Sequence, residues 1–91
     1  MNIARKLFIN GLVQGVGYRF FAQRAAAQHQ IKGYVRNLDD GRVEVLAEGP
    51  AAAVEAFKND LATGPSYATV TNVEEINVEP TGWYTLFRIE R

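Results

Sequence analysis

Between Lys6 and Val13 apolar and polar residues alternate, which puts Leu7, Ile9, Gly11 and Val13 on one face with the two-residue period of a half-buried strand. The period then changes. Residues 18–30, YRFFAQRAAAQHQ, are rich in alanine and free of Pro and Gly, and Tyr18, Ala22, Ala26 and His29 recur at helical spacing. Two further strand-like runs, KGYVRNL (32–38) and RVEVLAEG (42–49), flank Asp39-Asp40-Gly41, a turn signal that predicts a hairpin. In the second run Val43, Val45 and Ala47 alternate with Glu44, Leu46 and Glu48. Residues 50–64 open with Pro50, repeat apolar residues at Val54, Phe57 and Leu61, and close at Gly64, which predicts a second helix. Residues 68–79, between Pro65 and Pro80, are rich in β-branched residues and read as a fourth strand, and YTLFRIE (84–90) as a short final one.

Strand, helix, strand, strand, helix, strand is the order of an α+β, ferredoxin-like βαββαβ sandwich, with two helices covering one face of an antiparallel sheet. The 91 residues fit one domain, 1–91, with no linker or internal repeat. Composition changes little: 47% hydrophobic and 22% charged residues are ordinary for a globular domain. Charge and cysteine content exclude more. Ten basic residues balance ten acidic ones, so no global field favours nucleic acid or an anionic membrane, and anion recognition has to be local. The absence of cysteine removes disulfides, thiolate catalysis and thiolate metal sites. No stretch approaches the roughly 18 apolar residues of a membrane span. Residues 1–10 lack the features of a secretory signal, so the expected location is the cytoplasm; a monomer is the default expected state.

The candidate chemistry lies in GLVQGVGYRF, residues 11–20, between the first strand and the first helix. Spacing alone leaves two readings. Glycines are common where a chain changes direction, because they tolerate positive φ. Equally, Gly15 and Gly17 would let successive backbone N–H groups point inward at a helix N-terminus, where free donors and the helix dipole favour an anion. Arg19 bears on the choice, since a cation in the first helical turn opposes the macrodipole by about 0.3–1 kcal/mol. An anion between its guanidinium and the amides would reverse that sign; a solvated arginine pointing off the axis is the alternative. The loop lacks the Lys-Ser/Thr of a Walker loop and the spacing and parallel βαβ context of a dinucleotide fingerprint. It is sized for one phosphate.

Other polar residues have plainer readings. His29, the only histidine, lies where a cation complements the end of the first helix, and Asp39 and Asp40 precede Gly41 in the hairpin turn without further metal ligands. Asn37, taken alone, reads as an Asx turn ending its strand, Arg36 as a solvated or surface-paired residue, and the Tyr18 side chain as core.

GLVQGVGYR (11–19) followed by GYVRNLDDGRVEVLAEGP (33–50) resembles the acylphosphatase family in residue type, order and separation, and the similarity extends to the closing LFRIER. The resemblance implies the ferredoxin-like fold and hydrolysis of acyl phosphates to carboxylate and inorganic phosphate, with no metal and no cofactor. It also implies that Arg19 is the phosphate-binding catalytic arginine and that Asn37 positions the attacking water. The backbone amides of Gln14, Gly15, Val16, Gly17, Tyr18 and Arg19 would cradle the phosphate. The partner implied is a small-molecule acyl phosphate, with no nucleic acid and no membrane. Leu12, Tyr18, His29-Gln30 and Ser66 depart from the family's usual residues, and the His29-Gln30 pair predicts a different, weaker cap on the first helix. The rivals are a module of the same fold that binds without turnover, and an RNA-binding sheet, which zero net charge and the lack of a basic-aromatic strand motif disfavour.

Overall fold

Alternation along Asn2–Leu12 builds the first strand, β1, and the computed structural model, which describes all 91 residues, buries its Leu7 and Ile9 completely. The remaining elements follow as α1 (Tyr18–His29), β2 (Lys32–Asn37), β3 (Val43–Pro50), α2 (Ala51–Thr63), β4 (Thr69–Val78) and β5 (Phe87–Glu90). Helix α1 begins at Gly17, whose left-handed backbone (φ 76°, ψ 16°) turns the chain into the helix without any side-chain cap. It ends at Gln30, also left-handed (φ 57°, ψ 39°). Helix α2 starts after Pro50 and stops at Gly64, whose N–H donates to Asp60 O. Neither helix is long and apolar enough to cross a membrane.

The strands form one sheet in the order β4-β1-β3-β2-β5. Val54, Phe57 and Leu61 of α2 join Tyr18, Ala22, Ala25 and Ala26 of α1 over Leu7, Ile9, Val35, Val43, Val45 and Ala47 in one buried cluster. Both helices therefore lie on one face. The expected antiparallel arrangement holds for β1 to β4. The terminal strand departs from it: β5 pairs parallel to β2. Direction explains this, because β4 ends at the edge of the sheet where β2 begins, so a chain crossing that end must then climb alongside β2. The crossing is tied down by Glu48, whose carboxylate accepts hydrogen bonds from the N–H groups of Thr81 and Gly82. The same crossing shortens the last strand from the expected 84–90, since Tyr84 leaves the ladder to pack its ring 6.1 Å from that of Tyr34.

Strand β3 is central, and its second face is buried as well: Glu44 and Glu48 are each only 4% exposed. Glu44 is matched by neighbours on that outer face. Tyr34 donates its hydroxyl to the carboxylate, Arg36 Nη2 lies 3.1 Å away and Lys6 Nζ 3.9 Å away. Burial by itself would push the Glu44 carboxyl up, but the hydrogen bonds from Tyr34 and Arg36, with the charges of Arg36 and Lys6, outweigh it and hold the group below its ordinary range.

Strand direction also places the functional end. Because β3 runs antiparallel to both β1 and β2, those two strands finish at the same edge, and β5, parallel to β2, finishes there too. Leu12, Asn37 and Glu90 thus end at one edge, beside the start of α1.

Candidate active site

The segment Val13–Gly17 joins β1 to α1 with Gly15 and Gly17 both at φ 76°, a left-handed conformation that side chains resist. Its amides have no work within the protein. None of the backbone hydrogen bonds outside the helices and strands, and none of the bonds to side-chain acceptors, uses an N–H of Gln14, Val16 or either glycine. The first bond of α1 runs from Phe21 N–H to Gly17 O at 3.1 Å, so the amides of Tyr18, Arg19 and Phe20 precede the ladder. No acidic side chain sits in that turn to meet them. The result is a run of unclaimed donors at the positive end of a helix.

Arg19 adds a full charge. It forms no salt bridge; its Nη1 donates to the backbone carbonyl of Glu90 at 3.2 Å, which anchors the guanidinium without neutralising it. Glu90 is registered against Arg36, the residue before Asn37, so the anchor brings Arg19 to the strand ends where Asn37 sits. At Asn37 the side-chain Oδ1 is buried and accepts no hydrogen bond. A buried carbonyl left unpaired is costly, about 1–3 kcal/mol, and calls for a donor such as water.

The acylphosphatase family model matches residues 5–89. The chain belongs to the acylphosphatase family. It is 50% identical over 86 residues to an acylphosphatase of Solibacter usitatus, covering 94% of this chain and 88% of that relative. It is similar in structure to the crystal structure of acylphosphatase from Bacillus subtilis, with a TM-score of 0.93, 35% identity and coverage of 98% of this chain and 99% of that one. An acylphosphatase structure from Coxiella burnetii matches with a TM-score of 0.92 at 30% identity, covering 98% of this chain and 93% of that one. Residues 11–19 and 33–50 both fall inside the matched span.

The remaining candidates are held by other tasks. The Tyr18 side chain is buried in the core and donates its hydroxyl to Leu61 O at 2.6 Å, so only its amide faces the loop; burial pushes its phenol well above the ordinary range. His29 reaches beyond its own helix end, with Nε2 2.7 Å from Asp60 Oδ2 on α2. Asp40 accepts hydrogen bonds from the Arg42 N–H at 3.1 Å and from Arg42 Nε at 2.8 Å, which is turn chemistry. Two features had no sequence signal: the carbonyl of Glu90 under Arg19, which is backbone, and the Gln14 side chain, which donates to Leu38 O and Arg42 O.

Proposed function

We propose that the enzyme hydrolyses the carboxyl–phosphate bond of small acyl phosphates with the groups of this chain alone, the phosphoryl group lying between the amides of Gln14 to Arg19 and the Arg19 guanidinium. The observation that carries this reading is the run of unclaimed amides beside an arginine with no counter-ion. A dianionic phosphoryl group fits both, and arginine's planar fork can give it two parallel hydrogen bonds while staying charged. Asn37 is the water-directing group in this proposal: its Oδ1, buried and unpaired in the resting orientation, is the acceptor that turns to take a hydrogen bond from the attacking water.

The chemistry asks for little more. Water oxygen forms a bond to phosphorus, the phosphorus–oxygen bond to the acyl group breaks, and its electron pair leaves on a carboxylate. The conjugate acid of that carboxylate has a pKa of about 4–5, so departure needs no proton. The proton from water passes to a phosphoryl oxygen, giving inorganic phosphate. In a loose phosphoryl-transfer transition state, positioning and charge stabilisation supply most of the catalysis.

The test is steady-state hydrolysis of benzoyl phosphate by the wild type and by Arg19→Gln and Asn37→Ala, with circular dichroism to check folding. Each folded variant should lose at least about 10²-fold in kcat/KM, the usual effect of removing a preorganised donor. Wild-type rates in a folded Arg19→Gln variant would overturn the proposal.

A further inference from the structure

The Gln14 side chain crosses to the other half of the site. Its Nε2 donates to Leu38 O at 2.7 Å and to Arg42 O at 2.8 Å. An amide nitrogen carries two hydrogens, and both partners here are carbonyls, so this orientation alone satisfies the surroundings. The acceptors are the two residues that close the β2–β3 turn: Leu38 N–H donates to Arg42 O at 2.8 Å, and Gly41 N–H donates to Leu38 O at 3.2 Å. Leu38 directly follows Asn37, and Arg42 directly precedes Val43, the partner of Asn37 across the hairpin. One side chain therefore ties the loop beside Arg19 to the turn that carries Asn37.

Apolar packing holds the loop from below: Val13 is buried in the core, Val16 packs against it, and the Tyr67 ring lies beside Gly17. Its amides form no hydrogen bonds within the protein, and no atom lies within 4 Å of where a Cβ on Gly15 would stand. Chain continuity and the packing of Val13 and Val16 seat the loop on the core, and the Gln14 amide is its hydrogen-bonded tie to the β2–β3 turn.

We propose that Gln14 is a positioning residue whose side chain sets the distance between the phosphoryl group held by the loop and the water held by Asn37. The inference rests on the roles given above to Arg19 and Asn37. Phosphate-binding groups all lie on one continuous segment, so releasing the clamp leaves them together. The water-directing group lies on the other segment. In-line attack needs the reacting atoms about 3–3.5 Å apart, and a 1 Å misplacement costs roughly 10²-fold. Loss of the clamp therefore lowers kcat and spares phosphate affinity.

Gln14→Met keeps the length of the side chain and removes both donors. Its kcat for benzoyl phosphate should fall about 10- to 100-fold, while the inhibition constant for inorganic phosphate changes by less than about threefold. In an Asn37→Ala background the same substitution should cost less than about twofold, because the group it positions is already gone. A kcat within twofold of wild type, a phosphate constant that weakens in step with kcat, or losses that multiply in the double variant would each overturn the proposal. If Gln14→Met does not fold, Gln14→Asn, whose amide is one methylene too short to span both carbonyls, is judged by the same criteria. Wild-type kcat in Asn37→Ala alone would defeat the reading of the site itself, whereas an impaired Asn37→Ala beside a fully active Gln14→Met defeats only the clamp.

Discussion

Arg19 stands where a cation is least welcome, in the first turn of a helix, and its only protein partner is an uncharged carbonyl. That combination makes sense when the missing counter-charge belongs to the substrate. Arg19→Lys keeps the charge and loses the fork, so kcat/KM should still fall by about 10²-fold or more, read by the same hydrolysis assay. No ionisable side chain is assigned as base, because Asn37 cannot take a proton at neutral pH. A plot of kcat against pH should accordingly show no essential enzyme group titrating near neutrality; a clear ionisation there would mean a base has been overlooked. Much of this scale was legible in the chain. Gly15, Gly17 and Arg19 stand out because their local geometry is unusual, and Asn37 stands out once its block is matched to the loop. The Gln14 side chain was not legible, since its acceptors are backbone carbonyls 24 and 28 residues away.

At the scale of elements, periodicity located the strands and helices because one face of each is buried against a common core. It missed the burial of the opposite face of β3. Alternation alone leaves Glu44 on a solvated face, but Tyr34, Arg36 and Lys6 converge over it from neighbouring strands. The folded Glu44 carboxyl binds its proton less readily than the unfolded one. Its contribution to stability is therefore present in full above the ordinary carboxylate pKa and is lost as pH falls through the depressed folded value. Glu44→Gln should cost about 1–3 kcal/mol at neutral pH in denaturant unfolding, a gap that closes on acidification below the ordinary carboxylate range. Helix α1 offers the opposite opportunity. Gln30 holds a left-handed cap that glycine adopts without strain, so Gln30→Gly should stabilise the fold by about 0.5–1 kcal/mol in the same experiment.

For the whole molecule, the parallel β5 strand matters most. Its direction depends on a crossing at the far end of the sheet, held by the Glu48 carboxylate, and no local pattern announces that contact. Yet the crossing is what delivers the Glu90 carbonyl to Arg19. Net charge was informative in a different way: a chain balanced at zero has to build any anion site locally, and the loop amides with Arg19 are the site proposed here. A ligand bound only by the folded state stabilises it, by about 2.7 kcal/mol when free ligand stands at 100 times its dissociation constant. Inorganic phosphate should thus raise the Tm of the wild type by roughly 11–22 °C at that saturation, and leave folded Arg19→Gln far less affected. An amide NMR titration of the wild type with inorganic phosphate reports on the loop directly. Phosphate bound at the loop should give saturable downfield shifts of the amide protons of residues 14–20, the donors that make no hydrogen bond within the protein, together with Arg19 Nε–H. Shifts centred elsewhere, or none at phosphate concentrations that inhibit hydrolysis, would contradict binding there.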